Sequence, residues 1–170
     1  MKKIAIMTAG ADCPGINAAI KAVVLSAFEK EVEVLGVIDG YKGLVEGNYI
    51  TLSKKEVEEI EKDGGTMLGA SNKECPFYYL VDKENMKYED KTEEAISKLK
   101  EQGVEGLIVI GGDGTLDSAR VINERGMPTV GIPKTIDNDM EASTPTIGFN
   151  TAVGTVVDAI SKVKTTAYSH

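Results

Sequence analysis

Glycines, carboxylates and one lysine, gathered in short stretches, are where this chain could do chemistry. The most specific stretch is Gly111-Gly112-Asp113-Gly114-Thr115. Positions without side chains let a backbone approach phosphates closely, and Asp113 could hold a magnesium ion that bridges them. Thr115 can cap the following helix and donate to a phosphate oxygen. A plain turn between strand and helix would not need glycines on both sides of an acid. A second stretch, Thr8-Ala9-Gly10-Ala11-Asp12-Cys13-Pro14-Gly15-Ile16-Asn17, pairs small residues with a helix start, whose free N–H groups suit a phosphate. A tight turn with Asp12 as a cap accounts for the same residues. The third, Pro133-Lys134-Thr135-Ile136-Asp137-Asn138-Asp139, sets two carboxylates two positions apart. One can accept a proton from a hydroxyl nucleophile while the other orients a metal or tunes the first. Lys134 supplies positive charge and Thr135 a hydroxyl donor, although Asp and Asn also favour ordinary turns.

The elements that must position these stretches alternate between strand and helix. Lys3-Ile4-Ala5-Ile6-Met7 is a short apolar run. Ile16, Ala19, Ile20, Val23, Val24, Ala27 and Phe28 then mark one helix face, with Pro14 in its first turn. Residues 32–38 read as a strand closed by Asp39-Gly40. Asp90 and Glu93 stand at capping-box spacing before a helix that Gly103 stops. Residues 104–110 are a buried strand, 116–125 a short helix stopped by Gly126, and 128–132 another strand. A last helix carries Val153, Val156, Val157, Ile160 and Val163 on one face. The segment 41–86 breaks the rhythm: Ser53 and Glu56 predict a helix through Ile60, and residues 72–82 a loop or hairpin. This order predicts an α/β fold, a mainly parallel sheet with helices on both faces. Ligands in such sheets gather beyond the carboxyl ends of the strands, where all three stretches should converge.

Composition narrows the classes. At 170 residues, 42% hydrophobic and 27% charged, the chain can bury a core as a single domain, 1–170. A net charge of -8 and the absence of Trp argue against nucleic acid, so an anionic ligand would need local donors. No stretch approaches the roughly 20 apolar residues of a membrane span. The N-terminus lacks a signal-peptide apolar region, which makes the cytoplasm the expected location. Two cysteines, Cys13 and Cys75, lack metal-ligand spacing, and the one histidine is the last residue, which speaks against zinc or histidine-based nucleophilic chemistry.

Taken in order, the three stretches resemble the phosphofructokinases. The resemblance runs from Lys3 to His170 and includes Gly40-Tyr41-Lys42-Gly43, Gly64-Gly65-Thr66-Met67-Leu68-Gly69 and Thr146-Ile147-Gly148-Phe149-Asn150-Thr151-Ala152. The Gly-Gly-Asp-Gly-Thr element also occurs in NAD kinases and lipid kinases; the Pro-Lys-Thr-Ile-Asp-Asn-Asp segment separates them. The resemblance implies phosphoryl transfer from ATP to the C1 hydroxyl of fructose 6-phosphate. Asp137 would be the base, Asp113 the magnesium ligand and Asp139 a support for the site. Thr135 and Lys134 would stand at the transferring group. Gly10, Ala11, Tyr41, Asn72, Lys73, Gly112, Gly114, Thr115 and Ser118 would line the nucleotide site. Gly114 leaves room for the α-phosphate of ATP where pyrophosphate-dependent members usually place Asp, whereas Lys134 fits the pyrophosphate-dependent pattern.

Several positions depart from the family. Ala11 replaces a glycine, Asn72 stands where many members have an arginine, Ser118 where bacterial ATP enzymes often have glycine, and Asn150 replaces a common aspartate. Lys21 and Leu25 stand at positions that are arginine in allosteric members. The family's second half, with its sugar-phosphate-binding arginines, histidine and Met-Gly-Arg loop, would follow His170. The 170 residues alone are therefore expected not to turn over fructose 6-phosphate and to self-associate through the uncovered apolar face. Two other readings stand beside this one: a pyrophosphate-dependent enzyme, and an inactive fragment serving as a nucleotide-binding or assembly module.

Overall fold

Consecutive apolar residues along each central strand send side chains alternately to the two faces of a sheet, and both faces are covered. The computed structural model describes residues 1–71, 74–141, 143 and 145–169. Strands β1 (Lys3–Thr8), β2 (Glu33–Val37), β3 (Tyr49–Leu52), β6 (Leu107–Gly111), β7 (Thr129–Thr135) and β8 (Ile147–Gly148) form a sheet ordered β3-β2-β1-β6-β7-β8. A separate hairpin, β4 (Tyr79–Asp82) and β5 (Lys87–Glu89), falls near the stretch expected to be loop or hairpin. Every pairing in the large sheet is parallel except β2 with β3.

On one face Ala5, Met7, Leu35, Val37, Leu107 and Val109 pack with Leu44, Ile96, Leu99 and Ile122. These come from helices α2 (Gly40–Glu46), α3 (Thr92–Glu101) and α4 (Asp113–Glu124). On the other, Ile4, Ile6, Val34 and Ile110 pack with Ile16, Ile20 and Val24 of α1 (Ile16–Glu29). Each large aliphatic buried this way stabilises the fold by about 1.5–3 kcal/mol relative to exposure. The helix stops expected at Gly103 and Gly126 are present, both with positive φ (75° and 89°).

The structure shifts several sequence-based boundaries. Helix α1 begins at Ile16 after Gly15, so Pro14 lies outside it, and Phe28 is 55% exposed. Asp39-Gly40 does not merely end a strand: Asp39, with φ 60°, starts α2. Glu56 accepts from the Ser53 N–H at 2.9 Å as a capping box requires, yet only turns and a 3-10 turn at Ile60–Lys62 follow. Asp90 holds the start of α3 by accepting from the Thr92 N–H at 2.9 Å. Strand β7 continues to Thr135, beyond its expected end at 132, because β8 pairs Lys134 with Ile147 and Thr135 with Gly148. Helix α5 (Phe149–Tyr168) forms as expected, but its apolar face is bare: Val153, Val156, Val157, Ile160 and Val163 are 48–61% exposed. No helix among the described residues is long and apolar enough to cross a membrane.

Candidate nucleotide and phosphoryl-transfer site

The strand order reverses direction beside β1. From β1 the chain crosses through α1 to β2 on one side, whereas β6 on the other side leads through α4 to β7. The carboxyl ends of β1 and β6 therefore diverge, opening the crevice in which open α/β sheets bind ligands. A cavity of about 470 Å³ occupies it. Gly10, Ala11 and Asp12 enter from β1, Gly112, Asp113, Gly114, Thr115 and Ser118 from β6 and α4, and Lys134, Thr135 and Asp137 from β7. Cys13, Tyr41, Ser71, Glu74, Cys75 and Ile136 complete the wall. Asp113 and Asp137, from separate reversals of the chain, share this one cavity.

Helix α4 starts three residues before the expected position, with Gly112 in extended conformation (φ -82°, ψ -173°) as its cap. Thr115 is thus inside the first turn rather than capping it. The first intrahelical bond here runs from the Leu116 N–H to the Gly112 carbonyl at 2.9 Å, which leaves the preceding N–H groups free of intrahelical partners. Those donors and the positive end of the helix dipole suit an anion. Asp113 stands exposed at the first helical position. Gly111 is sterically required, since a Cβ there would lie 2.3 Å from Thr115 Cγ2. A Cβ at Gly114 would meet nothing within 4 Å, so its missing side chain is not needed for packing and leaves the cavity open.

Tyr41 is buried and its hydroxyl donates to the Thr115 carbonyl at 2.6 Å, which ties α2 to the start of α4. Burial holds its phenol above the ordinary value. Ser118 donates back to the Gly114 carbonyl at 3.1 Å. Lys134 is 2% exposed, and its Nζ donates to the Ala11 carbonyl. Burial lowers its pKa, with the Cys13 thiol and Asp12 carboxylate opposing that shift. Cys13 is a packed thiol beneath Gly148, and burial raises its pKa, so it lacks the thiolate character of a nucleophile.

Asp12 does not cap α1, because Gly15 occupies the cap position. It accepts instead from the Thr66 N–H at 3.0 Å, while buried Asn17 accepts from the Met67 N–H at 2.8 Å and Thr8 Oγ1 donates to the Gly69 carbonyl at 2.8 Å. The Gly64-Gly65-Thr66-Met67-Leu68-Gly69 stretch is therefore a brace behind the first loop, a role not read from the sequence; a polar Asn17 on an otherwise apolar helix face was its signal. At the third stretch Asp137 lines the cavity, whereas Asp139 is exposed and not among the lining residues. Thr135 Oγ1 accepts from the Asp137 N–H at 3.1 Å. Asn72 and Lys73 lie outside the described residues. Among the described residues no three His, Cys, Asp or Glu side chains converge on a metal position. Asp113, an exposed carboxylate beside the free N–H groups that start α4, does fit magnesium, which is commonly held by one or two carboxylates plus substrate phosphates.

Residues 3–170 match the family model described as phosphofructokinase. The chain is 46% identical over 173 residues to an ATP-dependent 6-phosphofructokinase 2 of Clostridium perfringens, covering 100% of this chain and 47% of the relative. It is also 46% identical over 171 residues to an ATP-dependent 6-phosphofructokinase of Thermotoga neapolitana, covering 100% of this chain and 50% of that one. The solved phosphofructokinase of Saccharomyces cerevisiae superposes with a TM-score of 0.82 at 29% identity, over 100% of this chain and 25% of that one. The chain thus spans about half the length of the curated relatives it matches.

Proposed function

The chain belongs to the phosphofructokinase family, and on that premise we propose that it supplies the ATP site and the proton-accepting loop for phosphorylation of the C1 hydroxyl of fructose 6-phosphate. The observation that carries this reading is the single cavity lined by both Asp113 and Asp137. The polyphosphate would lie across the start of α4, its charge met by first-turn N–H groups and by Lys134. Asp113 would hold magnesium, which when bound neutralises phosphate charge. Asp137 would take the proton from the sugar hydroxyl as that oxygen attacks the γ-phosphorus and the bond to the departing ADP breaks. Thr135 would orient the transferring group, and exposed Asp139 would act on Asp137 through the loop.

Open space at Gly114 favours ATP over pyrophosphate as the donor, and the curated relatives above carry ATP-dependent names. The glycine-rich cradle and intact acid pair also weigh against an inactive module. The domain reading is that residues 1–170 form the nucleotide-binding unit. A second polypeptide half, or a second copy, would cover α5 and bring the cations of the sugar site, as the half-length match supports. Cytoplasmic location remains part of this proposal. Equilibrium titration tests the donor: ATP should bind in the presence of magnesium and resist displacement by equimolar pyrophosphate. Tighter binding of pyrophosphate than of ATP would reverse the assignment.

A further inference from the structure

We infer that Thr146 is a positioning residue for Asp137, acting from β8's threshold on the loop that carries the acid; this rests on the reading of Asp137 as the proton acceptor. Among the described residues nothing buries the tip of that loop. Ile136 is 48% exposed and Asp137 is exposed, so packing does not fix where the carboxylate stands. Hydrogen bonds at the base of the loop do. Thr146, only 3% exposed, donates its hydroxyl to the Thr135 carbonyl at 2.8 Å. Its N–H donates to Asn138 Oδ1 at 3.1 Å. One residue thereby grips the loop on both sides of Asp137. Asn138 adopts φ 55°, the left-handed conformation in which its short side chain turns back toward Thr146. Thr135 is held by the sheet and the Asp137 N–H by Thr135 Oγ1, but without the two Thr146 bonds the segment from Ile136 to Asn138 would be freer to swing the acid relative to the α4 terminus. Such acids must sit within hydrogen-bond reach of the proton they abstract, and displacement by about 1 Å can cost roughly a hundredfold in rate.

The test is carbon-13 NMR of the labelled chain with manganese and ATP, in which the paramagnetic ion broadens nearby carboxyl signals. Thr146→Val removes the hydroxyl and keeps the N–H; Asn138→Gly removes the acceptor and keeps access to the left-handed backbone. In the wild type both Asp113 and Asp137 carboxyl signals should broaden. In each variant the broadening at Asp113 and the affinity for manganese–ATP should persist while broadening at Asp137 is reduced, and Thr146→Ser should restore it. Should Thr146→Val fail to fold, Asn138→Gly carries the same comparison. Unchanged broadening at Asp137 in Asn138→Gly, or in a folded Thr146→Val, would overturn the positioning role. Absence of broadening at Asp137 in the wild type would instead overturn the reading of Asp137 itself, and the inference with it.

Discussion

Lys134, on the last full strand, reaches across the crevice and donates its ammonium hydrogen to the backbone carbonyl of Ala11 beyond the first. This contact ties β7 to the first loop at the candidate phosphate site, and it places a cation at the loop where Ala11 stands. A buried ammonium is costly unless an acceptor or an anion compensates it. Lys134→Met should therefore weaken ATP binding by about tenfold or more, measured by calorimetric titration, while the protein stays folded.

The same lysine makes a signed claim about pH. Its folded pKa lies below the ordinary 10.5, chiefly through burial, so the unfolded chain binds the proton more tightly. Stability rises with pH wherever the unfolded state holds more protons. Through Lys134 stability rises as pH climbs from the depressed folded value toward the ordinary one, against the opposite trend of the raised Cys13 and Tyr41 groups, so wild type should gain relative to Lys134→Met. Urea midpoints of the two proteins across that window check it.

Gly114 separates steric specificity from folding. Because a Cβ added there meets nothing within 4 Å, Gly114→Asp should leave the melting temperature nearly unchanged. It should weaken ATP by at least about tenfold, equivalent to about 1.4 kcal/mol. Binding isotherms for ATP in parallel with thermal melts read both effects.

Much of this was legible in the chain because three glycine- and aspartate-rich stretches each follow an apolar strand run, although single ones also suit ordinary turns. The placement of Asp113, Thr115, Thr135 and Asp137 around one crevice follows from strand–loop–helix order alone. Boundaries were less legible. Residues 133–135 look like loop because of the proline, but β8 supplies a partner from far along the chain that keeps them in the sheet. Short α2 hides in Gly40–Glu46, where Gly40 and Gly43 disguise a helix. Asp12 has the spacing of a cap, and only the fold shows that its partner is Thr66.

Tyr41, on the cavity wall, couples α2 to the start of α4. Its hydroxyl bond to the Thr115 carbonyl is buried, and a typical bond of that kind contributes about 0.5–1.5 kcal/mol. Tyr41→Phe should lower stability by that amount in urea unfolding and leave the secondary structure intact by circular dichroism.

Helix α5 presents exposed valines and an isoleucine with no covering layer among the described residues. The 170-residue chain should therefore self-associate as its concentration rises, and Val157→Asp with Ile160→Asp should shift it toward monomer without unfolding it. Multi-angle light scattering over a concentration series measures this.

The shared cavity of Asp113 and Asp137 is tested most directly by ATP affinity with and without magnesium, in wild type and in Asp113→Asn. Magnesium should tighten ATP binding to the wild type and have little effect on the variant. An equal magnesium effect in both proteins, or no ATP binding by the folded wild type, would contradict the assignment of this crevice.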